Sequence, residues 1–387
     1  MFTVGVEEEY HLVDRESLAL CSDDTVVSEA KARLAAVGEG VGGRGAVASE
    51  ISSAQLEVAT PVCTTLAEVR AELVRLRRVA AAAAEAHGRR ILAMATHPFS
   101  SWRDQRLTDN PRYVRLFERW GLLALQQLIT GCHVHVGVDD PDLAIAVLDR
   151  VRPWLPPLLA LSASSPFWEG SDTGYASYRT VWFDRWPLTG LPEPLGSRVA
   201  FDELVRAMVA CGAVDDCSHL YWDVRPSHRF PTLEFRVADV CPGIDDAVVQ
   251  AALARSLTRT FAQRVQQGRP IPPARMELVR LARWRAARHG LSNGLVHPEE
   301  WELRPAAEVV ESLLALLRPD LEEHGEWEEV QNQVNDILQR GNAAQRYRGL
   351  MARTGDLRAV TAAAIAETAG GGGSAAAPAS PAETFGG

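Results

Sequence analysis

The feature that most restricts the fold is an acidic strand near the N-terminus, residues 3–12 (TVGVEEEYHL). Side chains alternate between the two faces of an extended strand. Glu7, Glu9 and His11 therefore share one face, and the other face is apolar except for Glu8, which the alternation leaves unexplained. Two carboxylates on one face repel each other unless water or cations lie between them. The segment thus predicts a strand with one apolar face and one face that is solvated or binds cations.

Three later segments repeat this division into a polar and an apolar face. Their polar faces carry Glu57 in residues 55–59, with Glu50 seven residues earlier, His133 and His135 in residues 132–138, and Glu234 and Arg236 in residues 232–237. Such strands most simply form one sheet, with helices on the apolar face. Residues 244–368 have a helical pattern throughout and would supply much of that cover. We predict an α+β fold: a mainly antiparallel sheet with a polar concave active face, and helices packed on the other side.

The converging carboxylates indicate bound cations, because they could not all ionise close together without them. Oxygen-rich sites with an imidazole suit Mg²⁺ or Mn²⁺, whereas zinc favours thiolates and several imidazoles. Mg²⁺ commonly accompanies phosphates, which would explain the arginines in and beside residues 232–237. A cross-strand ladder of ion pairs with residues 221–225 would explain them equally well. If the arginines bind phosphate beside Mg²⁺, the sequence predicts ATP chemistry. The ATP site would not be a P-loop, because no Gly-Lys-Ser/Thr follows the glycine-rich residues 38–45.

The bulk composition argues against several kinds of partner. The chain has 50 acidic and 40 basic residues, a formal net charge of −10, which disfavours nucleic acid. It contains no uninterrupted run of about 20 apolar residues, so we expect no membrane span. The six cysteines form no C-x-x-C pair, as is typical of reduced thiols in the cytoplasm. We expect a cytoplasmic protein that acts on small molecules.

A change in composition near the C-terminus indicates where the folded part ends. Residues 1–368 are predicted to form a single catalytic domain. Within it, the aromatic-rich residues 165–197 are predicted to cover the substrate side. Residues 369–387 (AGGGGSAAAPASPAETFGG) cannot bury a core and are predicted to be a disordered low-complexity tail.

Five motifs in order resemble those of the glutamate–cysteine ligase type 2 family. They are GVEEE at 5–9, SAQLE at 53–57, GCHVH at 131–135, WDVRP at 222–226 and TLEFR at 232–236. The resemblance extends over about residues 1–365 and is to the YbdK-type carboxylate–amine ligases, distant relatives of glutamine synthetase. It implies a glutamine-synthetase-like fold and an ATP-dependent ligase with two or more Mg²⁺ (or Mn²⁺) ions between ATP and the sheet.

The same resemblance implies roles for individual residues. The metal ligands would be Glu7, Glu9, Glu50, Glu57, His133 and Glu234. Arg236 would hold a phosphate or the transferred phosphoryl group, which makes it a catalytic candidate together with Glu57 and Glu234. Arg225 and Arg179 are candidates for binding ATP or the substrate carboxylate. His135 stands where better-studied members have an amide, so the resemblance gives it no role.

The implied reaction has two steps and needs no enzyme nucleophile. The γ-carboxylate of glutamate attacks the γ-phosphate of ATP and gives an acyl phosphate and ADP. An amine, cysteine in the reference reaction, then displaces phosphate and forms an amide, in this case γ-glutamylcysteine. The expected partners are therefore small molecules, without nucleic acid or membrane, and a homodimer is compatible with the resemblance.

Two other functions remain open at this stage. The pair His133 and His135 on one strand resembles the H-x-H pair of a metal-dependent amidohydrolase, although that fold needs further histidines and alternating strands and helices. A relative that binds nucleotide only as a sensor is the other reading. Dependence of turnover on ATP separates the ligase from both.

Overall fold

The computed structural model describes residues 2–40, 42–271 and 274–370. Its strands are β1 (Val4–Asp14), β2 (Ala46–Ser49), β3 (Gln55–Ala59), β4 (Arg89–Leu92), β5 (Gly131–Gly137), β6 (Phe167–Trp168), β7 (Ser171–Asp172), β8 (Thr189–Gly190), β9 (Tyr221–Trp222), β10 (Val224–Pro226), β11 (Thr232–Asp239), β12 (Leu295–Val296) and β13 (Leu303–Arg304). Its helices are α1 (Asp24–Val37), α2 (Leu66–Ala86), α3 (Pro111–Trp120), α4 (Leu122–Leu125), α5 (Pro141–Val151), α6 (Leu155–Ser162), α7 (Tyr178–Phe183), α8 (Arg198–Ala210), α9 (Ile244–Gln266), α10 (Met276–His289), α11 (Ala306–Glu323), α12 (Trp327–Arg340), α13 (Ala343–Thr354) and α14 (Leu357–Thr368).

A seven-stranded antiparallel sheet organises the molecule, as predicted. Its order is β10-β11-β5-β1-β3-β2, and β4 pairs with the C-terminal part of β1. The acidic strand β1 thus lies at the centre, between β5 and β3. The register places side chains opposite one another in these pairs: Glu9 and Glu57, Glu7 and His133, Glu234 and His135, and Arg225 and Glu234. The four polar strand segments of the sequence therefore meet on one face.

The opposite face of the sheet is covered by helices, chiefly α2 and α9. Helix α2 begins at a capping box, in which the Thr65 hydroxyl accepts from the Glu68 backbone N–H and the Glu68 carboxylate accepts from the backbone at Thr65. Val69 and Leu73 of α2 pack in the same core as Val4 of β1. Helix α9 is buried around its whole circumference from residue 246 to 262, as expected of a helix in the centre of a large core.

Glu8, the residue that the strand alternation left unexplained, forms a buried ion pair. It lies on the apolar face with 0% of its surface exposed. The Arg77 guanidinium of α2 donates to both Glu8 oxygens, and the Tyr10 hydroxyl donates to one of them at 2.5 Å. Arg77 also donates to the carbonyls of Cys241 and Pro242, at 2.8 and 2.5 Å. This pair joins the central strand, α2 and the loop after β11, so Glu8 has a structural role.

One prediction about the chain outside the sheet needs correction. Residues 244–368 are not helical throughout, because the short hairpin of β12 and β13 interrupts them. That residues 165–197 cover the substrate side stays a prediction; within them Phe167, Trp168 and Trp186 are buried, and α7 places Arg179 in the interior. From residue 371 onward, the predicted tail lies outside the described residues.

Within the described ranges, no helix is both long enough and apolar enough to cross a membrane.

A buried histidine predicts that the protein loses stability in mild acid. His97 is 1% exposed, its Nε2 lies 2.9 Å from the Leu18 carbonyl oxygen, and its Nδ1 accepts from the backbone N–H groups of Phe99 and Ser100. Burial lowers the pKa of His97 to about 4. Below pH 6.5 the unfolded chain takes up a proton that the folded protein does not, so the free energy of unfolding falls as the pH falls. Between pH 6.5 and 4.5 this site should contribute a loss of about 2 kcal/mol.

Urea denaturation at a series of pH values tests this effect. His97→Asn keeps an acceptor near the backbone N–H groups and removes the titrating ring, so its unfolding free energy should depend less on pH by about that 2 kcal/mol. His324→Asn, at a half-exposed histidine, serves as the matched control. An unchanged pH dependence in His97→Asn would contradict the assignment.

Candidate active site

The polar face of the sheet forms the floor of a cleft of about 790 Å³. Its walls come from α1, α3 and the segment between α8 and β11. The cleft is lined by all but one of the candidate residues identified in the sequence: Glu7, Glu9, Glu50, Glu57, His133, His135, Arg225, Glu234 and Arg236. The remaining candidate, Arg179, lines a smaller cavity that shares Glu9, His133 and Arg236 with this cleft.

Two groups of side chains in the floor are arranged as metal ligands. Glu7, His133 and Glu234 form one triad, and Glu9, Glu57 and His133 form the other. In each triad, one potential ligand atom per residue lies within 4.8 Å of the others. Within the described residues these are the groups that meet this criterion, and they share His133.

His133 links the two triads through its two ring nitrogens. Its Nδ1 lies 3.3 Å from a Glu7 oxygen, and its Nε2 lies 3.7 Å from a Glu9 oxygen. Nε2 is buried and has no hydrogen-bond partner among the described residues. Burial and the nearby Arg236 charge lower the pKa of His133 to about 4, against the opposing effect of Glu7. The imidazole is therefore neutral at physiological pH, the form in which histidine binds a metal.

The carboxylates of the second triad repel one another. Burial and the negative charge of Glu50 raise the pKa of Glu9 to about 8, although Arg179 and Arg236 act in the opposite direction. Burial and the charges of the neighbouring carboxylates raise the pKa of Glu57 well above its ordinary value. Burial also raises the pKa of Glu50, which hydrogen-bonds to Glu57 but lies outside both triads. These groups lack the positive charge that would let them all ionise.

Glu7 differs from the other carboxylates of the site. Burial raises its pKa, but hydrogen bonds and charge interactions with His133 and His135 outweigh this and hold it well below the ordinary value. Nε2 of His135 lies 3.3 Å from a Glu7 oxygen, and Nδ1 of His135 lies 3.0 Å from the Thr232 hydroxyl oxygen. His135 belongs to neither triad, and its contacts place it beside Glu7.

Glu234 lies between two arginines in a cross-strand ion-pair ladder, one of the alternatives that the sequence left open. Arg225, on β10, donates to both Glu234 oxygens at 2.8 and 3.1 Å, and Arg236 also donates to Glu234. Burial raises the pKa of Glu234, but the charges of Arg236 and Arg225 outweigh it and hold the pKa below the ordinary range. Arg225 donates further to the carbonyls of Ser218 and Leu220. Most of its N–H groups are therefore engaged, whereas Nε of Arg236 is buried and has no hydrogen-bond partner among the residues that the structure describes.

The donor set fits Mg²⁺ or Mn²⁺ better than zinc. Each triad offers two carboxylates and one shared imidazole, and none of the six cysteines belongs to either triad. A bound divalent cation would lower the raised pKa values of Glu9 and Glu57 by neutralising their negative charge. It would also give Nε2 of His133, which has no partner among the described residues, an atom to bind.

Added Mg²⁺ is expected to stabilise the protein more at pH 8 than at pH 6. The carboxylates with raised pKa values stabilise the metal-free fold while they are protonated, so metal-free stability should fall as the pH rises towards 8. Mg²⁺ binds the ionised carboxylates, so the stabilisation that it provides increases over the same pH range. At about 100 times the dissociation constant the gain is about 2.7 kcal/mol. Thermal denaturation with and without Mg²⁺ measures it, and an equal gain in Glu57→Gln would contradict the second triad.

Sequence reasoning missed a positively charged rim around the cleft. It consists of Lys31 of α1, Arg112, Arg115 and Arg119 of α3, and Arg229. The three α3 arginines are spaced by three and four residues and so share one helix face, a signal that the sequence contained. Lys31 and Arg229 gave no local signal, because only the folded chain brings them to the cleft.

The chain is similar to a known protein family over almost its whole length. A family model described as glutamate–cysteine ligase family 2 matches residues 3–363. A protein of Frankia alni, provisionally named glutamate–cysteine ligase 2-2, is 43% identical over 379 residues, which cover 95% of this chain and 97% of that protein. A protein of Rhodospirillum rubrum, provisionally named glutamate–cysteine ligase 2, is 44% identical over 344 residues, with 89% and 87% covered.

Two solved structures share the fold. The glutamate–cysteine ligase of Francisella tularensis in complex with AMP has a TM-score of 0.68 at 14% identity, with 95% of this chain and 89% of that chain covered. A bifunctional glutathione synthetase of Pasteurella multocida has a TM-score of 0.67 at 17% identity. The match covers 96% of this chain but only 52% of the bifunctional chain, so the present protein spans about half of its length. The predicted fold class is confirmed.

Proposed function

Because the chain belongs to the glutamate–cysteine ligase family 2, we propose that it is an ATP-dependent carboxylate–amine ligase that joins glutamate to an amine, with cysteine as the first candidate. The observation that carries the proposal is the pair of ligand triads that share His133, next to the unpartnered Nε of Arg236. Carboxylates and a guanidinium side by side suit a nucleotide phosphate held between cations.

Mg²⁺ or Mn²⁺ is the proposed cofactor. Glu7, Glu9, Glu57, His133 and Glu234 would hold the ions, and Glu50 is a further candidate through its hydrogen bond to Glu57. The chemistry that such ions supply when bound is neutralisation of the negative charge on the phosphates and on the attacking carboxylate.

Arg236 is the proposed catalytic residue of the phosphoryl-transfer step. Its guanidinium is fixed by Glu234, which leaves Nε to donate to the transferring group, where negative charge is spread over the phosphoryl oxygens. A glutamate carboxylate oxygen attacks the γ-phosphorus, and the bond to ADP breaks. The amine then attacks the acyl carbon, phosphate leaves, and the nitrogen loses its proton.

Arg225 and the basic rim have supporting roles in this proposal. Arg225 would fix Glu234 and residues 218–220, since these contacts use most of its N–H groups. The cleft of about 790 Å³ is in the size range of small-molecule sites and would take the nucleotide. The cations Lys31, Arg112 and Arg115 at its edge would attract ATP.

The metal-dependent amidohydrolase has no support. That reading needs His133 and His135 to act as a metal pair, but His135 lies outside both triads and contacts Glu7 and Thr232. The relatives found by comparison are named as ligases.

ADP release from ATP, Mg²⁺ and glutamate, scanned over a panel of amines, tests the function. Stimulation by cysteine supports γ-glutamylcysteine formation, and stimulation by another amine keeps the mechanism with a different second substrate. Amide hydrolysis without nucleotide, or ATP binding without any turnover, would contradict the ligase and favour the hydrolase or the sensor.

We further propose that the enzyme is cytoplasmic and acts on small molecules. A homodimer is the proposed oligomeric state. The six cysteines are free thiols, which agrees with a reducing compartment. Analytical ultracentrifugation of the purified chain would test the dimer.

A further inference from the structure

A cysteine and a histidine are in contact at the edge of the cleft, away from the ligand triads. Cys217 begins the short 3₁₀ turn Cys217–His219, and its Sγ lies 3.3 Å from Nδ1 of His228 in the loop between β10 and β11. Cys217 is half-buried, whereas three of the six cysteines are fully buried. A thiol reacts when it is accessible and can lose its proton. The contact with an imidazole therefore gives Cys217 the surroundings of a reactive cysteine.

His228 is placed to take the proton of the Cys217 thiol. Burial and the charge of Asp216 raise the pKa of this thiol, against the opposing effect of Arg225. Little thiolate is present at rest, so the thiol must pass its proton to a base as it attacks. His228 Nδ1 is in contact with the sulfur, and the His228 side chain lines the cleft. A thiolate with a raised pKa is also a strong nucleophile once it has formed.

A second histidine of the same turn has an unpaired ring nitrogen. His219 is only 7% exposed, and its Nδ1 is buried without a hydrogen-bond partner in the described part of the chain. Oδ1 of Asp216 lies 3.8 Å from this nitrogen, beyond hydrogen-bond distance, and accepts from the Ser218 backbone N–H at 2.7 Å instead. His219 lines the cleft together with His228 and Arg229. Buried polar atoms are normally paired, so the free nitrogen of His219 indicates a polar ligand at this turn.

The turn is joined to the metal-ligand candidate Glu234 through Arg225. Nη1 of Arg225 donates to the carbonyls of Ser218 and Leu220 at 2.8 and 2.7 Å, and its Nε and Nη2 donate to Glu234 at 2.8 and 3.1 Å. A group added to the Cys217 sulfur needs more space than the thiol and displaces the turn, so the two carbonyls move with it. Arg225 then no longer fixes Glu234, which belongs to the first triad.

We propose that Cys217 is a thiol-exchange site for a small disulfide that carries carboxylates, such as cystine, and that the adduct inactivates the enzyme. The Cys217 sulfur attacks one sulfur of the disulfide, whose S–S bond breaks while a new S–S bond forms at Cys217. The thiol proton passes to His228 and then to the departing thiolate, so one disulfide replaces another and no further oxidant is needed. His219 Nδ1 and the charge of Arg229 are available to a carboxylate of the disulfide.

The exchange would couple the enzyme to the redox state of its second substrate. Cystine is the oxidised form of cysteine, the first candidate for the amine, so a pool that has been oxidised would stop its own consumption. The loss of turnover rests on the proposed ligase function, whereas the formation of the adduct does not.

Incubation of the full chain with cystine, followed by mass spectrometry of the protein and its peptides, tests the site. We expect one adduct, on Cys217, which forms at least about tenfold faster than adducts on Cys21 or Cys211 and which a reducing agent removes. Cys21 is half-buried like Cys217 and Cys211 is exposed, but neither forms a hydrogen bond with a histidine within the described residues. His228→Gln should slow the reaction of Cys217 by about 10²-fold, the lower end of what a positioned base contributes.

The effect on the active site is measured after free cystine has been removed. The adduct should lower glutamate-dependent ADP release by about 10- to 100-fold, the usual effect of disturbing a group that orients a metal ligand. It should also reduce the thermal stabilisation by Mg²⁺. Cys217→Ser should keep wild-type turnover after the same treatment, and Cys217→Ala replaces it if that variant does not fold. Cys211→Ser is the matched control and should be inactivated like the wild type.

The failure of this inference can be distinguished from the failure of the proposed function. Preferential labelling of Cys211 or Cys21, or equal rates in the wild type and His228→Gln, rejects the exchange site. An adduct on Cys217 that changes neither ADP release nor Mg²⁺ stabilisation rejects the link to Glu234 and retains the ligase. If no amine in the panel gives turnover, an adduct on Cys217 that weakens Mg²⁺ stabilisation still supports this inference while the proposed function fails.

Discussion

Glu57→Gln is expected to reduce glutamate-dependent ADP release by about 10²- to 10³-fold, the size of effect seen when a group that stabilises transition-state charge is lost. Glu57 lies opposite Glu9 across β1 and β3 and forms the second triad with Glu9 and His133. The amide keeps the shape of the side chain and removes the negative charge that would hold a cation. Steady-state ADP release with ATP, Mg²⁺ and glutamate measures the loss.

The same variant should fold at least as well as the wild type without metal. Burial and the negative charges of Glu7, Glu50 and Glu9 raise the Glu57 pKa, so ionisation of Glu57 destabilises the metal-free fold and an amide at position 57 avoids that cost. Glu118→Gln, at an exposed residue of α3, is the control and should keep full activity. His135→Asn should cost much less than Glu57→Gln, because His135 is in neither triad. Near-wild-type turnover in a folded Glu57→Gln protein would remove the second triad from the mechanism.

Glu8→Gln is expected to lower the free energy of unfolding by about 3–5 kcal/mol, the cost of breaking one side of a buried ion pair. The change leaves the Arg77 charge buried, with the carbonyls of Cys241 and Pro242 as neutral partners. Because Glu8 lies on the helix-covered face of β1, the effect should be on stability, without direct loss of an active-site contact. Urea denaturation followed by circular dichroism measures the change.

Glu16→Gln, at an exposed position just after β1, is the matched control and should change stability by less than about 0.5 kcal/mol. A double variant, Glu8→Leu with Arg77→Met, removes both charges and should recover much of the lost stability, since buried ion pairs can be replaced by apolar residues. If Glu8→Gln were as stable as Glu16→Gln, the pair would not be needed to join the central strand to α2.

The polar face of the sheet was predictable because it is encoded locally. A strand repeats every two residues, so the spacing of Glu7 and Glu9, or of Glu234 and Arg236, fixes their common face without knowledge of the rest of the fold. The five motifs, in their order along the chain, added the resemblance to a family of ATP-dependent ligases. Together they predicted an antiparallel α+β fold and a carboxylate–histidine–arginine floor, and the structure brings those residues into one cleft.

The position of helix α3 beside the cleft could not be predicted from the sequence. Its arginines at 112, 115 and 119 were recognisable as one basic face, but a basic face is more often solvated than functional, and nothing local placed it above the sheet. In residues 165–197 the sequence predicted a cover on the substrate side, but it could not show which aromatic side chains are buried. The structure packs Phe167, Trp168 and Trp186 into the interior.

The sequence by itself determined which side chains share a strand face, and hence that carboxylates, histidines and an arginine would face the same way. Only the tertiary structure decided that β1 lies between β5 and β3, which lets His133 serve two triads, and that Arg77 reaches Glu8. The same holds for Arg179, Gln127 and Trp186, which line the smaller cavity next to the cleft. The physical reason is that strand alternation is a property of adjacent residues, whereas strand order and the meeting of distant loops depend on how the whole core packs.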